Sequence, residues 1–370
     1  MKVEWKHIWE VTTWDKKFLG VDSVMQPKII KYHYYLANEL TGLERQNGDV
    51  RILYTTAKVA YADSSEVEGT IAEGEVVTIP WGGNVNIQYY NGKFITADNR
   101  IATSNDTLYL SNKFLYYWML SKKKDIEKLY RGAGIKHPSM FAVLSKLIPI
   151  PPLSEQQRIV EILDTFTNSI ENLRQQIAER KKQFVLYRDK LLDLEGEEGE
   201  KKAELISCCE IKRGVRVVKR DLEEGGNIPV YQNSLTPLGF YDKSNCTGST
   251  PFIIIGGAAG DIGYSKVPFW AADDCLCIIG NDRISSKFVY YVLMKNQLYF
   301  KSQVRKAGVP RLSRSVVEAF PISLPPLSEQ QRIVEILDTF EASIKNLEEQ
   351  LELRQKEYEY YRNKLLTFDK

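Results

Sequence analysis

The sequence predicts an α+β chain made by tandem duplication, two globular domains each followed by the same long coiled-coil helix. Three observations carry this reading. The segment PPLSEQQRIVEILDTF at 151–166 recurs letter for letter at 325–340, an offset of 174. Apolar residues downstream of both copies repeat with heptad spacing, and weaker matches at the same offset tie the globular segments together. The chain thus divides into a globular domain at 1–150, a central repeat helix at 151–195, a linker and second domain at 196–324, and a C-terminal repeat helix at 325–370.

In the globular parts, Asp49-Val50-Arg51-Ile52-Leu53-Tyr54 and Ile228-Pro229-Val230-Tyr231 alternate as strands do. Asn112–Tyr117 matches Ser286–Tyr291, and Arg131-Gly132-Ala133-Gly134 matches Arg305-Lys306-Ala307-Gly308; each pair reads as a helix followed by a loop. Glu10-Val11 aligns with Glu210-Ile211 at an offset of 200, but Val50 aligns with Ile228 at 178, so the first domain carries an insertion of about 22 residues between Val11 and Val50.

Each repeat helix starts after a Pro-Pro breaker. Ser154 with Gln157, and Ser328 with Gln331, fit the S-x-x-Q capping box. The seam then runs Ile159, Leu163, Phe166, Ile170, Leu173, Ile177, Phe184, Tyr187, Leu191 and Leu194, matched by Ile333, Leu337, Phe340, Ile344, Leu347, Leu351, Tyr358, Tyr361, Leu365 and Phe368. Its single break holds Arg180 in one copy and Arg354 in the other; a charge there costs stability and can fix register. Helices of roughly 40 residues are about 60 Å long, and stripes this narrow need each other. Because each helix leaves its own domain, the expected arrangement is an antiparallel pair with pseudo-twofold symmetry. The open alternative is a coiled coil that only bridges domains or dimerises chains.

Composition narrows the class. The 370 residues are 43% hydrophobic and 26% charged, ordinary globular material. No apolar run approaches the roughly 18 residues of a membrane span, and MKVEWKHIWEVTTW is too polar for a secretory signal, so the expected location is the cytoplasm. The five cysteines, Cys208, Cys209, Cys246, Cys275 and Cys277, argue for reduced, packed thiols; they lack CxxC spacing, only three histidines accompany them, and no metal site is expected. The net charge of +2 hides segregation: Lys212–Arg220 and Tyr299–Arg314 each hold five basic residues and no acid, Trp118–Lys136 is basic, and acids gather at 195–200.

Taken together, the doubled PPLSEQQ helix start, the domain-helix-domain-helix order and a Gly-containing loop closing each domain resemble the specificity subunits of type I restriction-modification systems. The resemblance spans nearly the whole chain. It implies a prokaryotic protein whose two globular domains are target recognition domains, each reading half of an interrupted site in double-stranded DNA. It also implies that two adenine-N6 methyltransferase subunits dock on the helices and that a restriction/motor subunit completes the complex. S-adenosylmethionine, ATP and Mg2+ then belong to those partners, with no cofactor on this chain.

The sequence itself holds no catalytic signature. Both Pro-Pro pairs are helix starts, not the N-P-P-Y-like tetrad of an adenine methyltransferase, and no P-loop, HExxH or GxSxG pattern occurs. The segment Phe252–Gly263 runs a strand into a glycine-rich loop, but the following Lys266-Val267-Pro268-Phe269-Trp270 is strand-like, where a dinucleotide site needs a helix. A turn between strands is the expected form.

DNA is read by Arg, Lys, Asn and Gln at base edges and held by contacts to phosphate. The loops around Arg131, Lys136 and His137, and around Arg305, Lys306 and Arg311, extended by Arg314, join glycine flexibility to charge at equivalent positions. Tyr54, Thr55, Thr56 and Lys58 follow one strand, as Tyr231, Gln232, Asn233 and Ser234 follow its counterpart; turn formation explains Asn233 and Ser234 equally well. Trp81 and Asn84, with Gly256 and Gly257, form a third pair, in which Trp81 also suits a core. Two rival functions stay open: a coiled-coil scaffold with protein-binding heads, and a nucleotide-dependent enzyme built on Gly256–Gly263.

Overall fold

The computed structural model describes residues 2–194, 202–218, 220, 222 and 225–369. The acidic run expected at 195–200 lies outside the described residues. The chain forms two compact units: residues 1–172 with 350–370, and residues 173–349. Each unit therefore holds one globular head, part of the helix Leu153–Leu191 and part of the helix Leu327–Leu365.

In the first unit a six-stranded sheet has the order Thr12–Trp14, Asn99–Ser104, Ala72–Pro80, Gln88–Thr96, Val50–Leu53, Val59–Ala62. Val50–Leu53 runs parallel to Gln88–Thr96, and the other pairings are antiparallel. The expected insertion occupies the connection from Trp14 to Val50 and contains the short helix Ala37–Gly42. The head closes on itself where Glu4–His7 pairs with Leu147–Ile150, the strand that runs into Pro151-Pro152. In the second unit the corresponding strands split into a four-stranded and a three-stranded sheet, and Lys202–Glu204 pairs with Pro321–Ser323.

Two helical expectations are refined. Asn112–Ser121 and Ser286–Lys295 are helices as read, but short helices, Lys123–Glu127 and Gln297–Ser302, precede the glycine loops. Ser154 and Ser328 do not cap the long helices, because each lies inside the first turn. Gln156 and Gln330, both wholly buried, anchor the starts instead. The Gln156 amide donates to the carbonyls of Pro151 and Tyr109 and accepts from the Ser111 amide; Gln330 does the same with Pro325, Arg283 and Ser285. The Pro152 carbonyl accepts the Glu155 and Gln156 amides, and Pro326 those of Glu329 and Gln330, so these amides do not depend on a serine cap.

The two long helices pair antiparallel within each unit. In the first, the Phe166 ring stacks on Tyr361 at 5.4 Å and the Arg354 guanidinium lies 5.6 Å above Phe166. In the second, Phe340 meets Tyr187 at 5.2 Å and Arg180 lies 5.7 Å above it. These are the same contacts shifted by 174, which is the internal symmetry expected of the seam. Each arginine fills its polar slot by covering an aromatic ring of the facing helix. The head cores continue into this pair: Ile159, Leu163 and Leu366 join the first, and Phe184, Ile333 and Leu337 the second.

Candidate nucleic-acid interface

In the first unit the candidate residues come from turns at one edge of the sheet. The Leu53 carbonyl accepts the Ala97 amide at 3.0 Å and Asn99 Nδ2 at 2.8 Å, and the Asp98 carbonyl accepts the Trp81 amide at 3.0 Å. From there the Gly83 amide donates to the Lys136 carbonyl at 3.0 Å. The turn after Leu53, the Trp81–Asn84 loop and the Arg131–His137 hairpin are thereby brought together. Gly83 has φ +89°, a backbone conformation that a side chain resists.

Within this edge, Asn84, Thr56, Arg131, Lys136 and His137 are exposed, and Thr55 is half-buried. Trp81 is half-buried, with the Arg100 guanidinium 4.6 Å from its ring and the His137 ring 5.1 Å away. His137 Nδ1 also lies 2.8 Å from the Trp81 carbonyl oxygen. Tyr54 and Lys58 turn toward the insertion: the buried Tyr54 hydroxyl donates to Glu44 at 2.5 Å, and Lys58 pairs with the same carboxylate. Hydrogen bonds from Lys58 and Tyr54 hold the Glu44 carboxyl below its ordinary range.

Beneath Trp81 lies a network that sequence reasoning missed. Arg100 is fully buried and bridges Asp15 at 3.0 Å and Asp98. Asp15 also accepts the Ile101 amide at 2.8 Å and the Tyr34 hydroxyl. Burial pushes the Asp15 carboxyl up, while the Tyr34, Ile101 and Arg100 contacts pull it down. No local pattern announces these contacts, because Asp15 and Arg100 are far apart in sequence.

In the second unit the three candidate segments also meet. The Ala258 amide donates to the Asn233 carbonyl at 2.9 Å, and the Gly257 amide donates to the Pro310 carbonyl at 3.2 Å. Arg305 and Arg311 form a two-way backbone bridge, and Gly256 bridges to Arg311. The Arg311 guanidinium pairs with Asp274 at 2.6 Å. Asn233, Arg305, Lys306 and Arg311 are exposed, whereas Tyr231, Gln232 and Ser234 are half-buried and Gly256 is buried. Arg314 is not brought into this cluster; it begins the helix Arg314–Glu318 and binds Glu318 at 2.6 Å and the Ile211 carbonyl at 3.1 Å.

The glycine-rich segment is a turn between the strands Thr250–Ile254 and Ile262–Ser265, so a dinucleotide-type helix start is absent there. The segment Lys266-Val267-Pro268, read as strand-like, is a bend, and pairing resumes only at Phe269 and Trp270. Burial pushes the Cys275 thiol up to about 12, and it donates to the Tyr231 and Gln232 carbonyls at 3.3 and 3.2 Å, fixing the turn that carries Gln232. Cys246 and Cys277 are joined as a disulfide with Cα atoms 7.3 Å apart, so the expectation of reduced thiols throughout is corrected for this pair and holds for the buried Cys208, Cys209 and Cys275. Among the described residues no helix is long and apolar enough to cross a membrane.

Comparison with known proteins places this geometry. The family model for the type I restriction modification DNA specificity domain matches twice, at residues 28–181 and 197–354. The Escherichia coli type I restriction enzyme EcoR124I/EcoR124II specificity subunit is 30% identical over 308 residues, covering 73% of this chain and 74% of that one. A Haemophilus influenzae chain named as a candidate type I restriction enzyme specificity subunit is 30% identical over 346 residues, covering 82% of this chain and 85% of that one. The fold is that of the crystal structure of a type I restriction-modification S subunit from M. genitalium, with a TM-score of 0.74 at 19% identity over 100% of this chain and 97% of that one. Two matched domains, each with its turn cluster and its helix, show that the chain belongs to the type I restriction-modification specificity subunits and carries two recognition domains.

Proposed function

We propose that residues 1–150 and 196–324 each read one half of an interrupted site in double-stranded DNA, and that the two long helices set the gap between the halves. One observation carries this reading: the same cluster of turns is built in both units on shared backbone contacts, yet presents different side chains. Gly83 to Lys136 and Gly257 to Pro310 are one contact seen twice, while Trp81, Asn84 and His137 stand in one cluster and Gln232, Asn233 and Arg311 in the other. Shared framework with divergent tips suits two heads of different sequence preference.

The identical tracts point to a partner met twice. Exposed positions Gln157, Arg158, Glu161 and Thr165 are the same as Gln331, Arg332, Glu335 and Thr339, although solvent imposes no such identity. In this reading they dock two adenine-N6 methyltransferase subunits, a restriction/motor subunit joins them in the prokaryotic cytoplasm, and S-adenosylmethionine, ATP and Mg2+ are bound by those subunits. The chain is then a non-catalytic subunit. Affinity capture of the full-length chain from its host, followed by mass spectrometry and by methylation assays with and without the captured proteins, tests this. An adenine methyltransferase should co-purify and activity should require it. Methylation by the chain alone would overturn the reading, and binding only to non-DNA-modifying proteins would favour the scaffold alternative.

A further inference from the structure

The recognition heads meet their helices through a polar knot built twice. In the first unit Lys113 Nζ lies 2.7 Å from Asp164 Oδ2, and the Tyr117 hydroxyl donates to Asp164 Oδ1 at 2.6 Å. In the second, Lys287 Nζ lies 3.2 Å from Asp338 Oδ1, and the Tyr291 hydroxyl donates to the same oxygen at 2.5 Å. Both carboxylates stand in the identical tract, and both partner sets come from matching head segments, Ser111-Asn112-Lys113-Phe114-Leu115-Tyr116-Tyr117 and Ser285-Ser286-Lys287-Phe288-Val289-Tyr290-Tyr291. The lysine is held from the other side by a tyrosine of the head's sheet: Lys113 lies 5.3 Å over Tyr89, and Lys287 lies 4.1 Å over Tyr264.

We propose that Asp164 and Asp338 are positioning residues that fix the angle at which each head leaves its helix, and so set which half-site gap the protein accepts. This rests on the proposed function of the heads and deepens it. The apolar contacts between head and helix are non-directional and tolerate sliding, whereas hydrogen-bonded charges do not. Tyr117 and Tyr291 are almost fully buried and their hydroxyls donate to the carboxylates, Thr167 Oγ1 lying farther off at 3.4 Å from the Tyr117 hydroxyl. A single tether permits pivoting, and here there are two. Gln156 and Asp164 are eight residues apart, about 12 Å along the helix, and Gln330 and Asp338 repeat that spacing. The knots also differ in strength. Glu341 gives Lys287 a second carboxylate at 3.1 Å and accepts from the Tyr290 hydroxyl at 3.3 Å, where the first unit has Thr167. The first head is therefore the more readily loosened.

The test uses the full chain with its co-purifying methyltransferase subunits and a DNA library that keeps both half-sites and varies only the gap. Asp164→Asn should lower discrimination between the preferred gap and its neighbours roughly tenfold while leaving the recognised bases unchanged. Asp338→Asn should do so less, and Lys113→Arg should behave like the wild type. Thermal unfolding of each variant reports whether it is folded; if Asp164→Asn is not, Tyr117→Phe carries the same expectation. Folded variants with an unaltered gap profile would overturn the inference and leave the function of the heads standing. A wild-type complex that methylates every gap alike would overturn both.

Discussion

The Gly83 amide donates to the Lys136 carbonyl at 3.0 Å, and 174 residues later Gly257 makes the same bond to Pro310. Both glycines have positive φ, +89° and +79°. The pair shows how the duplicated framework joins the strand-end loops to the basic hairpins, and it separates two contributions to stability.

An alanine side chain at Gly83 would meet nothing within 4 Å, whereas at Gly257 its Cβ would come within 2.8 Å of the Asn233 Cβ. Gly83→Ala should therefore cost only the backbone strain, about 1 kcal/mol, and Gly257→Ala about 1–3 kcal/mol more. Urea unfolding of the two variants checks the order. Equal losses would mean that the Gly257 turn moves to make room.

Gln156 and Gln330 anchor the two helix starts through buried amides. Replacing either by alanine leaves one backbone amide and two carbonyls without their partner, and the expected loss is about 2–4 kcal/mol. Similar changes from the two single substitutions, measured by denaturant unfolding, would match their equivalent surroundings. A loss below about 0.5 kcal/mol from both would show that the Pro-Pro segment holds the helix start unaided.

The hairpins should contribute through phosphate. Lys136→Ala and Lys306→Ala are each expected to weaken binding to all sequences alike and to reduce the slope of log affinity against log salt by about 1. By contrast, Gln232→Ala and Asn233→Ala should change the preference of one half-site, by about 1–3 kcal/mol per base pair. Titrations of the assembled complex at several salt concentrations distinguish these effects. A salt slope unchanged by both lysine substitutions would remove the hairpins from the interface.

Much of this was legible in the sequence because duplication supplies its own alignment. The repeated tract located both long helices, the heptads gave their pairing, and the common offset matched strand ends and loops between heads. Side-chain partners were less accessible. Ser154 fits a capping pattern, but whether a cap is needed depends on what the Pro-Pro carbonyls accept, and Gln156 carries no local signal. Tyr54 and Lys58 sit after a strand as a reading loop does, yet Glu44 draws both away, and Arg314 belongs to a helix because Glu318 lies one turn on. The Asp15–Arg100 pair depends on the fold bringing distant residues together, which no periodicity records.

The proposed function divides the labour, heads for bases and helices for spacing. Inserting roughly four residues, one helical turn of about 6 Å, near Gln175 and Glu349 should alter the preferred gap and leave both half-sites as they were. Exchanging residues 202–324 for the corresponding domain of another family member should replace one half-site and keep the gap. DNA advances about 3.4 Å and turns through roughly a tenth of its helical period per base pair, so the new gap must also return both heads to a usable face of the duplex. The measurement is methylation-site mapping by long-read sequencing of DNA modified by each assembled complex. A changed gap from the insertion and one changed half-site from the exchange is the predicted result; new bases from the insertion, or two intact half-sites after the exchange, would contradict it.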